Sequence, residues 1–291
     1  MIVITAPTGQ IGRQVVDTLL AGGQPVRVIA RDAARLDPRT RERVEVVQGS
    51  HSDPGVLAEA FEGADAVLWL VPPDPRAGDI QDHYLGFTRP ACDAFRAQGV
   101  ERVVGVTSLG RGHAGHAGLL SPAFAMDDMI ESTGVDYRAL AMPFFMENLL
   151  NQAGAISNEG TFHLANSADR PLATVATRDI AAAAAALLAD DSWSGRSSVP
   201  VIGDTLSPVD MALVLSEVLE RPVRFQQADG QAYRATMTQY GMSAAWAQGL
   251  VDMAAAQNDG IYDAEQKALA APAPTGFRQW CQEVFRPVVQ P

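Results

Sequence analysis

A strand, a tight turn and a helix follow one another at the start of this chain, and this order constrains the fold more than any other feature. Residues 2–5 are apolar and β-branched, which is typical of a buried strand. Residues 7–9, Pro-Thr-Gly, indicate a turn, and apolar residues then recur at helical spacing from Ile11 until residues 22–23, Gly-Gly. Such a unit gathers unpaired backbone N–H groups and the positive end of a helix dipole at one point, where they can bind a phosphate.

The glycines of this turn indicate a dinucleotide rather than an isolated phosphate. Gly9 would let the backbone approach a pyrophosphate, and Gly12 would let the helix pack close to the strand. Ala6 stands where such a motif has its first glycine, so the motif is incomplete and a purely structural turn is the alternative. Because repeated strand–helix units follow, we predict nucleotide binding. The predicted contacts from the turn are Thr8, Gly9, Gln10, Ile11 and Gly12.

Composition excludes several classes of protein. The 291 residues are 47% hydrophobic and 19% charged, and the net charge of −12 argues against a nucleic-acid-binding or anionic-membrane surface. The two cysteines, Cys92 and Cys281, have no disulfide or metal-ligand spacing, so we predict no metal site. The longest apolar run, residues 180–189, is too short to span a bilayer. We therefore expect a cytoplasmic protein that acts on a small molecule, and the sequence leaves a homodimer open.

The end of the second predicted strand, residues 26–30, bears on the choice of dinucleotide. A carboxylate at this position holds the ribose 2′-hydroxyl of NAD, whereas an arginine accommodates the 2′-phosphate of NADP. Here the strand runs directly into Arg31, with Arg35 nearby, and Asp32 is expected to cap the following short helix. We therefore favour NADP(H) over NAD(H). The alternative is that Arg31 is simply a solvated side chain.

Further predicted strands cover residues 43–48, 64–73, 101–110 and 135–143, and in an open α/β sheet the ligand lies at their carboxyl ends. His51 is expected to be a ring-stacking or surface residue rather than a catalyst.

Among the helices, we expect Ser121 to cap one helix and Thr177 or Asp179 to cap a later one. The remaining predicted cofactor contacts are Ser50, His51, Leu70, Val71, Pro72, Ser108, Pro143 and Phe145.

Two segments supply candidate catalytic and substrate-binding residues. The glycine-rich stretch after the fifth strand contains His113 and His116, whose spacing on a loop carries no helical metal geometry. A solvated or substrate-gating loop is the alternative to catalysis. The stretch after the sixth strand is aromatic and methionine-rich, and it could form an apolar substrate wall or simply core. The predicted substrate contacts are Phe144, Phe145, Met146 and Asn148.

Several blocks together resemble the NmrA-like group of atypical short-chain dehydrogenases/reductases. They are VITAPTGQIGRQVV, VRVIARDAARL, DPGVLAEAFEGADAVLWLVPP, VVGVTSLG, STGVDYRAL, PFFMENLL and ATRDIAAAAAALL. The resemblance implies an α/β fold with a Rossmann-type doubly wound parallel sheet and a smaller α+β region closing over the substrate. We expect residues 1–153 to form the NAD(P)-binding domain and residues 154–291 the substrate region, interleaved with the Rossmann sheet. NADP(H) is the usual dinucleotide of this group.

The departures from the wider dehydrogenase pattern concern the proton donor. A YxxxK pair on the helix after the fifth strand would supply one, but here that helix reads SPAFAMDDMIEST. Ala123 occupies the position of the lone lysine of isoflavone-type reductases, while Ser108 matches the group's serine after the strand. The catalytic candidates are therefore Ser108, His113 and His116.

Two functional hypotheses follow. The first is an NADP(H)-dependent reductase of an apolar, aromatic or quinonoid small molecule, because such acceptors can take hydride while solvent supplies the proton. The second is a non-catalytic NAD(P)-binding redox sensor or regulator, which the missing Tyr/Lys pair supports.

Overall fold

The structure is a computed structural model that describes residues 1–290. Its strands are β1 (Ile2–Ile4), β2 (Val26–Ala30), β3 (Glu45–Gln48), β4 (Ala66–Trp69), β5 (Arg102–Ser108), β6 (Asp136–Met142), β7 (Phe144–Phe145), β8 (Thr161–Leu164), β9 (Leu172–Val175), β10 (Arg196–Pro200), β11 (Thr205–Leu206) and β12 (Arg224–Gln227).

Helices alternate with these strands along much of the chain. They are α1 (Gln10–Ala21), α2 (Pro38–Arg41), α3 (Pro54–Phe61), α4 (Ile80–Gln98), α5 (Ser121–Glu131), α6 (Ala153–Glu159), α7 (Thr177–Ala189), α8 (Pro208–Val218), α9 (Gly230–Gln239), α10 (Ala244–Asn258), α11 (Asp263–Ala268), α12 (Phe277–Trp280) and α13 (Arg286–Val289). No helix within residues 1–290 is both long enough and apolar enough to cross a membrane.

A seven-stranded parallel sheet organises the molecule, with the strand order β3-β2-β1-β4-β5-β6-β10. The order reverses at β1, between β2 and β4, which creates the crevice where ligands bind in open α/β sheets. The predicted α/β, Rossmann-type fold is therefore confirmed. The last strand, β10, comes after residue 153, so the later part of the chain completes the sheet.

Side-chain alternation along the strands builds a core on each face of this sheet. Ile2 and Ile4 pack in one core together with α1 and α7, while Val3 packs in the other core together with α3, α4 and α5. This two-sided burial explains why the strands are almost continuously apolar.

A third core belongs to the region after β6. It contains Phe144, Met146, Phe162, Trp280 and Phe285, and two small sheets with the orders β11-β9-β7 and β12-β8 border it. Strand β8 was not apparent from the sequence because its pairing with β12 joins segments about sixty residues apart.

Local capping signals were partly correct. Asp32 accepts a hydrogen bond from Ala34 N (2.9 Å), as predicted. Ser121, however, is the first residue of α5 rather than its cap, and its hydroxyl accepts from Ala117 N (2.9 Å) in the preceding 3₁₀ turn.

The predicted caps of α7 were wrong. The residue before the helix is Ala176, whose side chain cannot cap. Glu147 supplies the acceptor instead: its carboxylate accepts from the backbone N of Thr177 (3.1 Å) and from the Thr177 hydroxyl (2.9 Å). Glu147 also accepts from Trp280 Nε1 (3.1 Å).

A carboxylate is buried between α5 and the sheet. Asp127 is fully buried, and it accepts hydrogen bonds from the Tyr137 hydroxyl (2.6 Å) and the Thr107 hydroxyl (2.7 Å). Burial is the main cause that raises the pKa of Asp127 from its ordinary value to about 6, although both hydroxyls act in the opposite direction. The charged form is therefore costly in the folded protein.

This shift predicts a specific pH dependence of stability. Between the ordinary pKa of 3.8 and the folded value of about 6, the folded state holds more protons at Asp127 than the unfolded state does, so the free energy of unfolding falls as pH rises through this window. The contribution is at most about 3 kcal/mol. Urea unfolding from pH 3 to pH 7 should show this loss in the wild type and not in Asp127→Asn. The exposed neighbour serves as the control, and an Asp128→Asn profile that lost the same slope would contradict the assignment.

Candidate functional site

The turn after β1 has the geometry of a phosphate-binding turn despite its missing glycine. Ala6 has a φ of 49°, in the left-handed region, which costs an alanine about 1 kcal/mol. Its carbonyl accepts from Gly9 N (3.1 Å) and lies directly under α1. A Cβ built on Gly12 would stand 2.2 Å from that oxygen, closer than any real contact. Gly12 therefore allows the close helix–strand packing that the sequence predicted.

The N-terminus of α1 is open to a ligand. Its capping residue is Gly9, and within the described chain no side chain caps this end and no acidic residue lies in its first turn. Thr8, Gly9 and Gln10 are exposed, whereas Ile11 is buried in the core below. Backbone N–H groups and the helix dipole thus point at one exposed spot, which suits a negatively charged phosphate.

An arginine-lined cleft opens beside this turn. It has a volume of about 670 Å³ between Pro7 and Thr8 of the turn and the segment that follows β2. Arg13, Arg35, Arg39 and Arg43 line it. The guanidinium group of Arg43 also makes a hydrogen bond within the fold, because its Nη2 donates to Leu20 O (2.7 Å).

Arg31 occupies a different position from Arg35. It is exposed just after β2, does not line the cleft, and lies close enough to His51 for its charge to lower the pKa of that imidazole. Of the two arginines that the sequence proposed as one group, Arg35 therefore lines the cleft and Arg31 lies near His51 instead. Asp32 Oδ1 accepts the capping bond, and Asp32 is not among the residues that line the cleft.

His51 is a buried aromatic packing residue. Its ring meets Trp69 edge-on (centroids 5.4 Å apart) and Phe87 at a tilt (4.8 Å), and its Nε2 lies 3.2 Å from Leu70 O. Burial is the main cause that lowers its pKa to about 4. At neutral pH the imidazole is uncharged, so its Nε2–H donates to the carbonyl.

Hydrogen bonds fix the carboxyl end of β4 against β1. The Thr5 hydroxyl accepts from Leu70 N (2.9 Å) and lies within reach of the carbonyls of Leu68 and Leu70. His83 Nε2 lies 2.8 Å from Pro72 O. Val71 is buried, whereas Leu70 and Pro72 are half-buried. Ser50, in the segment after β3, is also half-buried, and its hydroxyl lies 2.8 Å from the Ser52 hydroxyl.

The catalytic candidates occupy different environments. Ser108 ends β5, is buried, and its hydroxyl lies 3.0 Å from Leu109 O and 3.4 Å from Met142 O. His113 and His116 are exposed on the loop beyond it, and His116 Nδ1 accepts from Gly118 N (3.3 Å). The structure therefore does not bring these two imidazoles into contact with Ser108 through any hydrogen bond of the described residues.

The predicted substrate wall is mostly core. Phe144 and Met146 are buried in the third core, with Met146 completely inaccessible, and Pro143 is buried as well. Phe145 is half-buried and Asn148 is exposed. Of the four predicted contacts, only these last two present much side-chain surface to a ligand.

Two residues near the site, Arg13 and Tyr262, were not predicted from the sequence. Arg13 follows Gly12 directly, and its proximity to the turn could have indicated it. Tyr262 is different: it lies 154 residues after Ser108, yet the serine lies close enough to the buried phenol to lower its pKa, against the larger upward effect of burial. Nothing local in the sequence marks that pairing.

Comparison with known proteins places this geometry in a family. Residues 7–191 match the family of proteins described as NAD(P)H-binding. The chain belongs to this family. It is 33% identical over 242 residues to (4-alkanoyl-5-oxo-2,5-dihydrofuran-3-yl)methyl phosphate reductase of Streptomyces griseus, covering 82% of each chain.

Solved structures agree with the predicted NmrA-like fold. The NADPH complex of the NADPH-dependent quinone oxidoreductase QOR2 from Escherichia coli superposes with a TM-score of 0.82 at 22% identity, covering 98% of this chain and 100% of that one. NmrA, a negative transcriptional regulator, gives a TM-score of 0.71 at 15% identity, covering 98% and 95%. The fold implied by the resemblance to NmrA-like atypical short-chain dehydrogenases/reductases is therefore confirmed.

The contact under Gly12 yields a direct prediction. Gly12→Ala should push the turn away from α1, weaken NADPH binding at least about tenfold and destabilise the fold by about 1–3 kcal/mol, because the new methyl group meets backbone rather than a flexible side chain. Fluorescence titration with NADPH and a thermal unfolding curve measure the two effects.

Gly86→Ala is the matched control, since a Cβ there meets no atom within 4 Å and the residue lies inside α4. It should bind NADPH normally and gain about 0.5–1 kcal/mol. NADPH affinity at the wild-type level in Gly12→Ala would show that binding does not depend on this packing.

Proposed function

We propose that this protein is an NADP(H)-dependent reductase that transfers hydride to an apolar, aromatic or quinonoid small molecule. The observation that carries the proposal is the open N-terminus of α1, which Gly12 brings against Ala6 beside the ends of β4 and β5. The NADPH-dependent QOR2 has the same fold, and the relative from S. griseus is named a reductase, which supports the assignment.

Arginines beside the turn support NADP(H) over NAD(H). A ribose 2′-phosphate carries negative charge that Arg35, Arg13 or Arg39 can meet by charge-assisted hydrogen bonds in the 670 Å³ cleft. A 2′-hydroxyl would instead favour a carboxylate acceptor; Asp32 at the end of β2 does not line the cleft, and the two carboxylates that do, Asp17 and Asp37, stand among four arginines.

The dinucleotide supplies the hydride when bound. The protein binds and orients: the turn and the α1 N-terminus hold the pyrophosphate, and the ends of β4 and β5 form one wall of the crevice. The Ser108 hydroxyl at the end of β5 donates to Leu109 O (3.0 Å) in this structure, and once rotated away from that carbonyl it can donate a hydrogen bond to the heteroatom of an acceptor. This polarises the acceptor without transferring a proton from a side chain.

The segments that end β4 and β5, residues 69–73 and 106–110, contain no Asp, Glu, Tyr or Lys, which restricts the acceptor. His51 is neutral at physiological pH, and Asp127 of α5 points to Thr107 and Tyr137. A quinone or a comparably electrophilic aromatic can stabilise the negative charge it receives and take its proton from water. An unactivated ketone, by contrast, needs a strong acid.

A second candidate function is a redox sensor that binds the dinucleotide without turnover. The helix α5 favours it, because its residues include neither the tyrosine nor the lysine that many dehydrogenases use. The likeness to NmrA concerns the fold.

The first experiment separates these two functions. The purified protein is titrated with NADPH and with NADH, and a panel of quinones is then added while the nicotinamide absorbance is followed. We expect tight NADPH binding and oxidation that depends on the quinone. Tight binding without oxidation would favour the sensor, and failure to bind either nucleotide would overturn both.

The arginine cleft predicts cofactor selectivity. Arg35→Ala should weaken NADPH binding about 10- to 100-fold and leave NADH nearly unchanged, since only NADPH has the phosphate that a charge-assisted hydrogen bond would hold. Arg31→Ala tests the alternative position, and Arg89→Ala on the exposed side of α4 is the control. Equal losses for both nucleotides in Arg35→Ala would show that this side chain does not recognise the phosphate.

A further inference from the structure

A tyrosine near the start of α4 has a phenol that is not bonded within the fold. Tyr84 is half-buried, its hydroxyl makes no hydrogen bond to any of residues 1–290, and its oxygen is not sealed from solvent. The phenols of Tyr137 and Tyr262, by contrast, are each bonded to a buried side chain. Because polar groups at the edge of a core are normally paired with protein or with water, the Tyr84 hydroxyl is available to a ligand.

The buried face of α4 carries Tyr84 to the edge of the sheet. Thr88, Ala91 and Phe95 follow Tyr84 at the spacing of one helical face, and all three are buried. Thr88 lies level with the last residue of β4, because Trp69 Nε1 donates to the Thr88 hydroxyl (3.3 Å). Tyr84 is one helical turn closer to the start of α4, and its ring packs on the edge of the core that Trp69 and Phe95 share.

The direction of α4 places Tyr84 beyond the carboxyl end of β4. A helix that connects two parallel strands, as α4 connects β4 to β5, runs back along the sheet, so its first turns lie at the carboxyl ends of the strands. Helical side chains lean toward the N-terminus, which carries the phenol further past the strand. His83 Nε2 lies 2.8 Å from Pro72 O and fixes the start of α4 against the segment after β4. The Tyr84 hydroxyl is therefore directed to the crevice at the ends of β4 and β5.

This position lies next to the helix that lacks a donor. The residues of α5 include neither a tyrosine nor a lysine. Helix α4 packs directly beside α5, and Cys92 Sγ donates to Met129 O (3.7 Å) between them. A phenol at the start of α4 can therefore approach the same crevice from the neighbouring helix.

The Tyr84 phenol is suited to donate a hydrogen bond rather than a proton. Burial raises its pKa above the ordinary value, so the hydroxyl stays protonated at physiological pH. An oxygen that gains negative charge during a reaction is the acceptor that such a donor stabilises most.

We propose that Tyr84 is a catalytic residue whose hydroxyl donates a hydrogen bond to the oxygen of a quinonoid acceptor as that oxygen gains negative charge. The inference rests on the proposed reductase function and adds a donor from α4 to its substrate site. In the reaction, hydride passes from NADPH to the acceptor, which leaves NADP⁺ and the anion of the reduced quinone. Tyr84 keeps its proton, and water supplies the proton that completes the hydroquinone.

The first test is turnover of NADPH with quinones in Tyr84→Phe. The variant should lower kcat about 10- to 100-fold, because a hydrogen bond to a developing charge is lost, and it should leave NADPH affinity unchanged. The loss should be larger for weakly electrophilic quinones than for strongly electrophilic ones. Its Tm should equal that of the wild type, since the hydroxyl is not bonded within the fold. A variant that melts much earlier or fails to fold would show that the hydroxyl is structural and would overturn the proposal.

A binding measurement tests the same contact without turnover. The probe para-nitrophenolate has a negatively charged oxygen, as the reduced quinone does, whereas nitrobenzene has the same ring without that oxygen. With NADP⁺ bound, Tyr84→Phe should weaken the binding of para-nitrophenolate about tenfold more than the binding of nitrobenzene. Equal changes for the two probes, or no binding of para-nitrophenolate to the wild type, would overturn the contact.

Two variants serve as controls. Thr88→Val removes a hydroxyl from the same face of α4, together with its bond to Trp69, and should lower Tm without changing the ratio of the two probe affinities. Tyr240→Phe removes an exposed phenol just after α9 and should match the wild type in every measurement.

The outcomes separate the two proposals. A wild-type protein that oxidises no NADPH with any quinone would overturn the reductase and, with it, this inference. A wild-type protein that turns over while Tyr84→Phe matches its kcat and its quinone selectivity would overturn only the role of Tyr84.

Discussion

Glu147 holds together three segments that are far apart in the sequence. One carboxylate accepts from the Thr177 backbone and hydroxyl and from the Trp280 indole, so it joins the segment after β7, the start of α7 and the last helical segment. Gln14 of α1 also reaches the Thr177 hydroxyl (3.2 Å). Because a charged acceptor makes strong hydrogen bonds and is expensive to leave unpaired, this point fixes the later part of the chain relative to the nucleotide-binding helix.

Apart from the arginine-lined cleft, the turn after β1 and the end of β4 are built from backbone and neutral groups more than from charges. The turn offers N–H groups, β4 is held by Thr5 and His83, and His51 is kept neutral by burial. Such a site can bind a dinucleotide firmly and still do little acid–base work. The chemistry must then come from the cofactor and from an acceptor that tolerates charge, which is why the fold alone is compatible with both a reductase and a sensor.

The sequence was informative for most local signals, although the local cap predicted at Ser121 was wrong. The turn at Gly9 and Gly12, the cap at Asp32 and the parallel sheet all follow from neighbours within a few residues. The cap of α7 was missed because its acceptor, Glu147, lies thirty residues away, and Tyr262 was missed because it meets Ser108 only through the tertiary fold. Met146 illustrates a local signal that is ambiguous. An apolar residue just after a strand can line a pocket or lie in a core, and Met146 lies in a core.

Strand β10 comes after the other six strands of the parallel sheet in the sequence, and this order has consequences for folding during synthesis and for truncation of the chain. This strand pairs with β6 from Arg196 opposite Tyr137 to Pro200 opposite Ala141, and α7, just before it, covers α1. Until α7 and β10 have been synthesised, the edge of β6 is unpaired and α1 is uncovered. Unpaired strand edges and exposed apolar surfaces promote association with other chains. A fragment that ends at residue 153 would lack β10 and α7, and it would leave the edge of β6 and one face of α1 uncovered. The edge of the sheet next to β6 is covered by β10, which is the last of the seven strands to be synthesised.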